Sequence, residues 1–278
     1  MCIRDSPYGT KSAATVSRYA TRAMDILLRY PIKAVVVACN TASAHAIPTL
    51  REATSLPVIG VVGPGARAAV EATESRKIGV AGTEATIRSG AYQRAILELA
   101  PEAEVVTAPW PLLVPLAEEG WTQHPVTRLT LETYLEPFVA SGVDTLVLGC
   151  THYPVFKPLI RSVLETSFDG AQIALVDSAD VVALDLTQLL QEREEAAPER
   201  VSRRNFFCTD APERFARVGG TFFQGGELAA VTAIDLQPVL RIPAATPLML
   251  MISASSSPGS SSRVLRRSSA WSRFSGST

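Results

Sequence analysis

Val35-Val36-Val37-Ala38-Cys39-Asn40-Thr41-Ala42-Ser43 and Leu146-Val147-Leu148-Gly149-Cys150-Thr151-His152-Tyr153-Pro154 share one design. Each is a short apolar run that ends on a cysteine, followed by small polar residues at the head of a helical pattern. The two cysteines stand 111 residues apart, about the length of one domain. A strand feeding a helix through a polar turn is the unit of a parallel sheet, and in open α/β sheets ligands bind beyond the carboxyl ends of the strands. A cysteine at that point meets the N-terminus of the next helix, whose free N–H groups and dipole favour the thiolate. Pro154 suits the first turn of the second of these helices. One such cysteine reads as a small buried apolar residue. Two in matching settings read as a pair on opposite faces of one substrate, a thiolate removing a proton and a thiol returning one. Disulfide exchange fits less well, because redox cysteines usually lie close in sequence.

Outward from these two segments, apolar and amphipathic runs alternate. Strands are expected at 33–38, 57–62, 77–81, 104–108, 144–149, 172–176, 205–208 and 230–236. Their Val- and Ile-rich, nearly unbroken apolarity suits parallel strands covered on both faces. Helices are expected at 12–29, 42–54, 64–74, 84–100, 126–140, 155–166, 179–192 and 211–218. The alternation predicts an α/β fold with mainly parallel sheets flanked by helices.

Composition narrows the classes further. Of 278 residues 47% are apolar and only 19% charged, which excludes a largely disordered chain and supports about two domains. Lys plus Arg (26) nearly balance Asp plus Glu (27), so no overall field draws in nucleic acid or anionic lipid. No apolar run approaches the roughly 20 residues of a membrane-spanning helix. The cysteines at 2, 39, 150 and 208 show neither a disulfide framework nor metal-type C-x-x-C spacing, so no metal is expected. With no signal-peptide pattern after Met1, the expected compartment is the cytoplasm with free thiols. Residues 251–278 hold 12 Ser and four Arg without Asp or Glu, and read as a disordered or non-native tail rather than a nucleic-acid arm.

The motifs resemble those of the aspartate/glutamate racemase family, and of its glutamate racemases in particular. They are Pro7-Tyr8-Gly9-Thr10-Lys11-Ser12, ACNTASA at 38–44, GVVGPG at 60–65, GTEAT at 82–86, PLAEEG at 115–120, GCTHYP at 149–154 and VDSAD at 176–180. They recur in order over roughly residues 7–236. GCTHYP with ACNTAS is the specific signal, and GVVGPG alone is a common glycine-rich turn. The resemblance implies two similar α/β domains with the amino acid held in the cleft between them. It implies cofactor-independent interconversion of L- and D-glutamate, supplying D-glutamate for peptidoglycan. Cys39 would face D-glutamate and Cys150 L-glutamate. Tyr8, Gly9, Asn40, Thr41, Thr151 and His152 match substrate-holding positions, with Thr83 and Thr86 as further contacts. His152 and Glu118 resemble the pair that assists Cys150, Glu118 being preferred to Glu119 by register.

No cofactor motif is visible, so negative charge developing at Cα must be met by preorganised hydroxyls and helix N-termini, or avoided by nearly concerted proton transfer. Each thiol must titrate within reach of neutral pH to alternate between base and acid. His45 reads as structural, His124 as an exposed loop residue, Cys208 as buried, and Cys2 as part of a leader that matches nothing. The expected domains are a non-family leader 1–6, a first domain of 7–61 with 176–240, a second of 62–175, and a tail 241–278. The family's usual opening strand and Asp-Ser-Gly-x-Gly-Gly turn do not precede Pro7, and Asp5-Ser6 does not take their place. A weakened or inactive truncated fragment is therefore one alternative. Others are an aspartate or hydantoin racemase, and a cysteine hydrolase or amidotransferase using Cys150 as nucleophile and His152 as base. The oligomeric state is open, a homodimer among the options.

Overall fold

In the computed structural model, residues 8–196, 204–222, 228 and 231–235 are described. The chain divides into Met1–Pro238 and Val239–Thr278, and all described residues fall in the first unit. The leader 1–6, Cys2 and the tail 241–278 lie outside the described residues.

After a 3-10 turn at Tyr8–Thr10, helix α1 (Ala13–Leu27) starts where the Ser12 side chain accepts from the Thr15 N–H at 3.3 Å, a standard N-cap. Strand β1 (Val35–Val37) feeds helix α2 (Asn40–Glu52), and β2 (Val58–Gly60) feeds α3 (Val62–Ala72). β1 and β2 pair in parallel with Val35 beside Val58. A small core of Met24, Val35, Ala46, Leu50 and Val58 joins them to α1 and α2.

The larger sheet follows. β3 (Lys77–Gly82), β4 (Glu104–Pro109), β5 (Thr145–Gly149) and β6 (Ala174–Val176) lie in the order β4-β3-β5-β6, all parallel. Parallel neighbours require crossovers. α4 (Glu84–Ser89) and α5 (Ala91–Leu99) connect β3 to β4, and α6 (Leu113–Glu118) with α7 (Pro125–Ala140) connects β4 to β5. α8 (Lys157–Ser167) returns from β5 to β6. All five residues of β5 are buried, as a central strand covered on both faces must be. One layer of core places Leu131, Leu135 and Phe138 of α7, spaced to share a helix face, with Trp110, Tyr153, Phe156 and Ile160. The other sets Ala66, Ala69, Tyr92 and Ile96 against Ile78, Val80 and Val147. α9 (Ser178–Glu192), β7 (Phe206–Cys208), α10 (Pro212–Phe222) and β8 (Val231–Ala233) complete the described chain, with β7 and β8 parallel.

The eight strands appear in the expected order, whereas the described residues form ten α-helices where eight are expected, and four local corrections follow. The helix read at 84–100 is two helices, because Gly90 takes φ +63°, a left-handed conformation that ends α4 and is cheap only for glycine. α6 leaves no clear signal in the sequence: six residues carry little periodicity, and packing of Leu113, Val114 and Ala117 holds it. Pro154 opens a 3-10 turn (Tyr153–Phe156), while α8 starts at Lys157 with Pro158 in its first turn. His124 is exposed, yet it caps α7 by accepting from the Val126 N–H at 3.2 Å and stacks on Trp121.

The turn joining α3 to β3 depends on one carboxylate. Asp144, just ahead of β5, accepts from Thr73 Oγ1 at 2.6 Å and from the Glu74 and Ser75 N–H groups at 2.8 and 2.5 Å. Burial alone would raise its pKa, but these donors overcome that and hold the carboxyl well below the usual range.

Candidate active site

Both cysteines stand where strands β1 and β5 end. Cys39 is the N-cap of α2 and partly exposed. Burial pushes its thiol pKa up, while the Ala42 and Thr41 N–H groups and the Thr41 hydroxyl pull it back. Cys150 is 7% exposed, and the helix expected at its side begins only at Lys157. Its N–H partner is that of His152 in the intervening turn. Burial pushes the Cys150 thiol up to about 12, and charge on Cys39 and on Glu118 pushes the same way, while the His152 N–H and Thr151 hydroxyl oppose it.

Around Cys39 the polar residues form a buried network. Asn40, Thr41, Thr83 and Thr86 are all buried. The hydroxyls of Thr41, Thr83 and Thr86 close a triangle with sides of 2.9, 3.0 and 2.9 Å. Thr83 also caps α4, so the starts of α2 and α4 converge on these hydroxyls. Gly9 packs so closely on Thr83 that an added Cβ would lie 2.6 Å from the Thr83 Cβ. Tyr8 precedes it in the same turn, its ring 6.1 Å from that of Tyr19. Ser43 fastens β1 to α3 by donating to the Val37 carbonyl at 2.6 Å and accepting from the Val61 N–H at 3.1 Å.

On the Cys150 side, His152 Nδ1 is 3.7 Å from the Cys150 sulfur. Its Nε2 faces Glu118 Oε1 at 3.4 Å, an approach longer than a formed N–H···O bond, and has no hydrogen-bond partner. The contact with His152, and after it the charge of Arg214, holds the Glu118 carboxyl below the ordinary range against the effect of burial. Glu119 is exposed. Thr151 is exposed at the turn.

The structure thus gathers Gly9, Asn40, Thr41, Thr83 and Thr86 with Cys39, carries Tyr8 beside Gly9 in the same turn, and gathers Thr151, His152 and Glu118 with Cys150. His45 contacts the Ala85 carbonyl through Nε2 at 3.3 Å, tying α2 to α4, and Cys208 is buried. Sequence reasoning missed Tyr92 and Arg214. The Tyr92 hydroxyl donates to Asn40 Oδ1 at 2.6 Å, and its ring covers Gly149 at 3.3 Å from where a Cβ would stand. Tyr92 reads as one more apolar residue of a helix stripe, and nothing in its neighbours signals that bond. Arg214 reaches Glu118 from 96 residues away. Among the described residues no cluster of His, Cys, Asp and Glu has the form of a metal site, and no helix is long and apolar enough to cross a membrane.

Comparison with known proteins decides the lineage. The family model for Asp/Glu/hydantoin racemases matches residues 1–186. The chain belongs to that family. It is 47% identical to a glutamate racemase of Geobacter metallireducens over 232 residues, covering 83% of this chain and 84% of that protein. Against a glutamate racemase of Syntrophus aciditrophicus the identity is 45%, over 83% of each chain. Among solved structures, the RacE1 glutamate racemase isoform of Bacillus anthracis superposes with TM-score 0.78 at 34% identity, over 84% of this chain and 86% of that one. The Francisella tularensis glutamate racemase, solved with D-glutamate, gives TM-score 0.77 at 33% identity over the same shares. The relatives of high identity are amino-acid racemases, and the α/β architecture with parallel sheets flanked by helices is shared with them.

Proposed function

We propose that the protein is a cofactor-independent glutamate racemase in which Cys39 and Cys150 exchange protons with opposite faces of Cα, supplying D-glutamate for peptidoglycan in the cytoplasm. The observation that carries this reading is the pair of thiols at matching strand ends, with polar residues beside both. The high identity to proteins named glutamate racemase supports the choice of glutamate. The domain division of 7–61 with 176–240 against 62–175, and assembly as a homodimer, belong to the same proposal.

Cys39 as thiolate removes the α-proton of D-glutamate, and the Cys150 thiol delivers its proton to the other face, leaving L-glutamate and a Cys150 thiolate. The reverse direction exchanges the roles. Both thiols are held up by burial, which keeps them protonated until substrate arrives. As substrate binds, one thiol gives up its proton to solvent, and the substrate's ammonium group favours the thiolate left behind. Negative charge that develops at Cα and the α-carboxylate faces the N–H groups at the start of α2 and the Asn40, Thr41 and Thr151 side chains. Tyr8, Gly9, Thr83 and Thr86 form the seat for the side-chain carboxylate, where the three-hydroxyl triangle reopens to donate outward. Glu118 and His152 return the proton balance at Cys150 after each turnover.

The test follows L-glutamate in deuterium oxide by circular dichroism and mass. Optical activity is expected to fall to zero, since enantiomers have equal energy, with one solvent deuterium gained at Cα per inversion. Aspartate serves as the control substrate. Release of ammonia, or a preference for aspartate, overturns the reading.

Tyr92 gives a second expected result. Tyr92→Phe strips the donor from Asn40 Oδ1 in a site where Asn40 is 3% exposed. A buried acceptor left unpaired costs about 1–3 kcal/mol, and the freed amide can rotate its N–H donors away from substrate. A fall of about tenfold in kcat/KM is expected, carried mainly by KM, with a lower melting temperature. Unchanged steady-state constants would separate Tyr92 from substrate binding.

A further inference from the structure

We infer that Arg214, on α10, is a positioning residue for the proton-transfer step at Cys150, resting on the racemase reading above. Its guanidinium donates to Glu118 Oε2 at 2.9 Å, while the other oxygen of that carboxylate, Oε1, faces His152 Nε2 at 3.4 Å. His152 in turn holds Nδ1 3.7 Å from the Cys150 sulfur. The four groups are linked contact by contact from the protein surface to the thiol. The Glu118 side chain is 13% exposed and that of Arg214 50% exposed, so the arginine reaches inward to a nearly covered carboxylate.

The contact between Glu118 and His152 is too long to set its own direction. Arg214 supplies that direction, because anchoring one carboxylate oxygen fixes where the other points. Its charge also favours the ionised carboxylate that His152 needs as a partner. The same helix makes a second contact with this pair, the ring of Phe222 meeting that of His152 edge-on at 5.5 Å and 89°. α10 therefore touches both members of the assisting pair. Its effect is confined to the Cys150 half of the reaction.

The experiment compares Arg214→Ala and Arg214→Lys in the full chain, with and without Glu118→Gln. Arg214→Ala is expected to lower kcat about three- to tenfold, the scale for a half-exposed charge contact, with KM within about twofold. Arg214→Lys should recover most of that loss by keeping the charge while losing the planar fork. In the Glu118→Gln background Arg214→Ala should add nothing further. With Cα-deuterated substrates, the isotope effect on kcat/KM should grow for L-glutamate and shrink for D-glutamate, because only the Cys150 transfer is slowed. A general structural role would move neither isotope effect in this opposed way. Unchanged kcat in Arg214→Ala, a uniform loss with parallel isotope effects, or an undiminished loss in the Glu118→Gln background overturns the inference. A wild-type chain that does not racemise glutamate fails the underlying reading instead, so the two failures are distinct.

Discussion

Cys150→Ser is expected to lose net racemisation by at least about a thousandfold, while hydrogen at Cα of D-glutamate continues to exchange with solvent. The upper range for one general acid or base is about ten-thousandfold, and a serine hydroxyl is far too weak an acid to replace a thiol in the same place. Cys39, untouched at the head of α2, can still remove the D-side proton and return a solvent proton to the same face. The result is exchange with retention. Cys39→Ser should show the mirror behaviour, exchanging L-glutamate through Cys150 and inverting neither enantiomer. Proton NMR in deuterium oxide with each enantiomer separately reads both outcomes. The cysteine-hydrolase alternative predicts that Cys39→Ser remains active, so inversion at near-normal rate in either variant sinks the two-thiol mechanism. As pH rises from 7 to 9, kcat/KM of the unaltered enzyme should climb, since both thiols lie above their ordinary pKa and the thiolate is the scarce form.

The second large effect comes from a residue with no side chain. In Gly149→Ala the new Cβ would stand 2.7 Å from the Ala81 carbonyl oxygen and 3.3 Å from the Tyr92 ring. The first obstacle is backbone of the neighbouring strand, where Gly82 pairs with Gly149, and backbone in a parallel ladder cannot swing aside. The strands must part at the point where β5 delivers Cys150. Overpacking of this kind costs about 1–3 kcal/mol. A shift of up to about 1 Å in the reacting sulfur costs on the order of a hundredfold in rate. We expect kcat to fall about that far, with a melting temperature lowered by several degrees. Gly63→Ala is the control: an added Cβ there meets nothing within 4 Å, and alanine inside a helix is favoured by about 0.5–1 kcal/mol. Its stability should hold or rise. Equal behaviour of the two variants would remove close strand approach as the reason for Gly149.

Legibility in the sequence followed the reach of each interaction. The strands and most helices could be read because burial on two faces makes unbroken apolar runs, and burial on one face makes a stripe; both are local patterns. The break at Gly90 escaped because glycine inside a helical pattern signals either a cost or a stop, and only the backbone angle separates them. α6 escaped because its stability is borrowed from Trp110 and the packed face of α7 rather than carried by its own six residues.

What the residues alone determined was the alternation of parallel strands and helices, the repeated strand–cysteine–turn, and the family motifs that name Cys39, Cys150 and their immediate neighbours. Each lies within one short segment, so chain connectivity already holds its parts together. Tertiary structure alone decided that Tyr92 orients Asn40 across 52 residues and that Arg214 meets Glu118 across 96. It likewise decided that three threonine hydroxyls from two segments share one triangle. Such contacts leave no periodic trace in the chain. A hydrogen bond requires about 3 Å and an angle, and only the packed sheet and its crossovers bring distant residues to that distance.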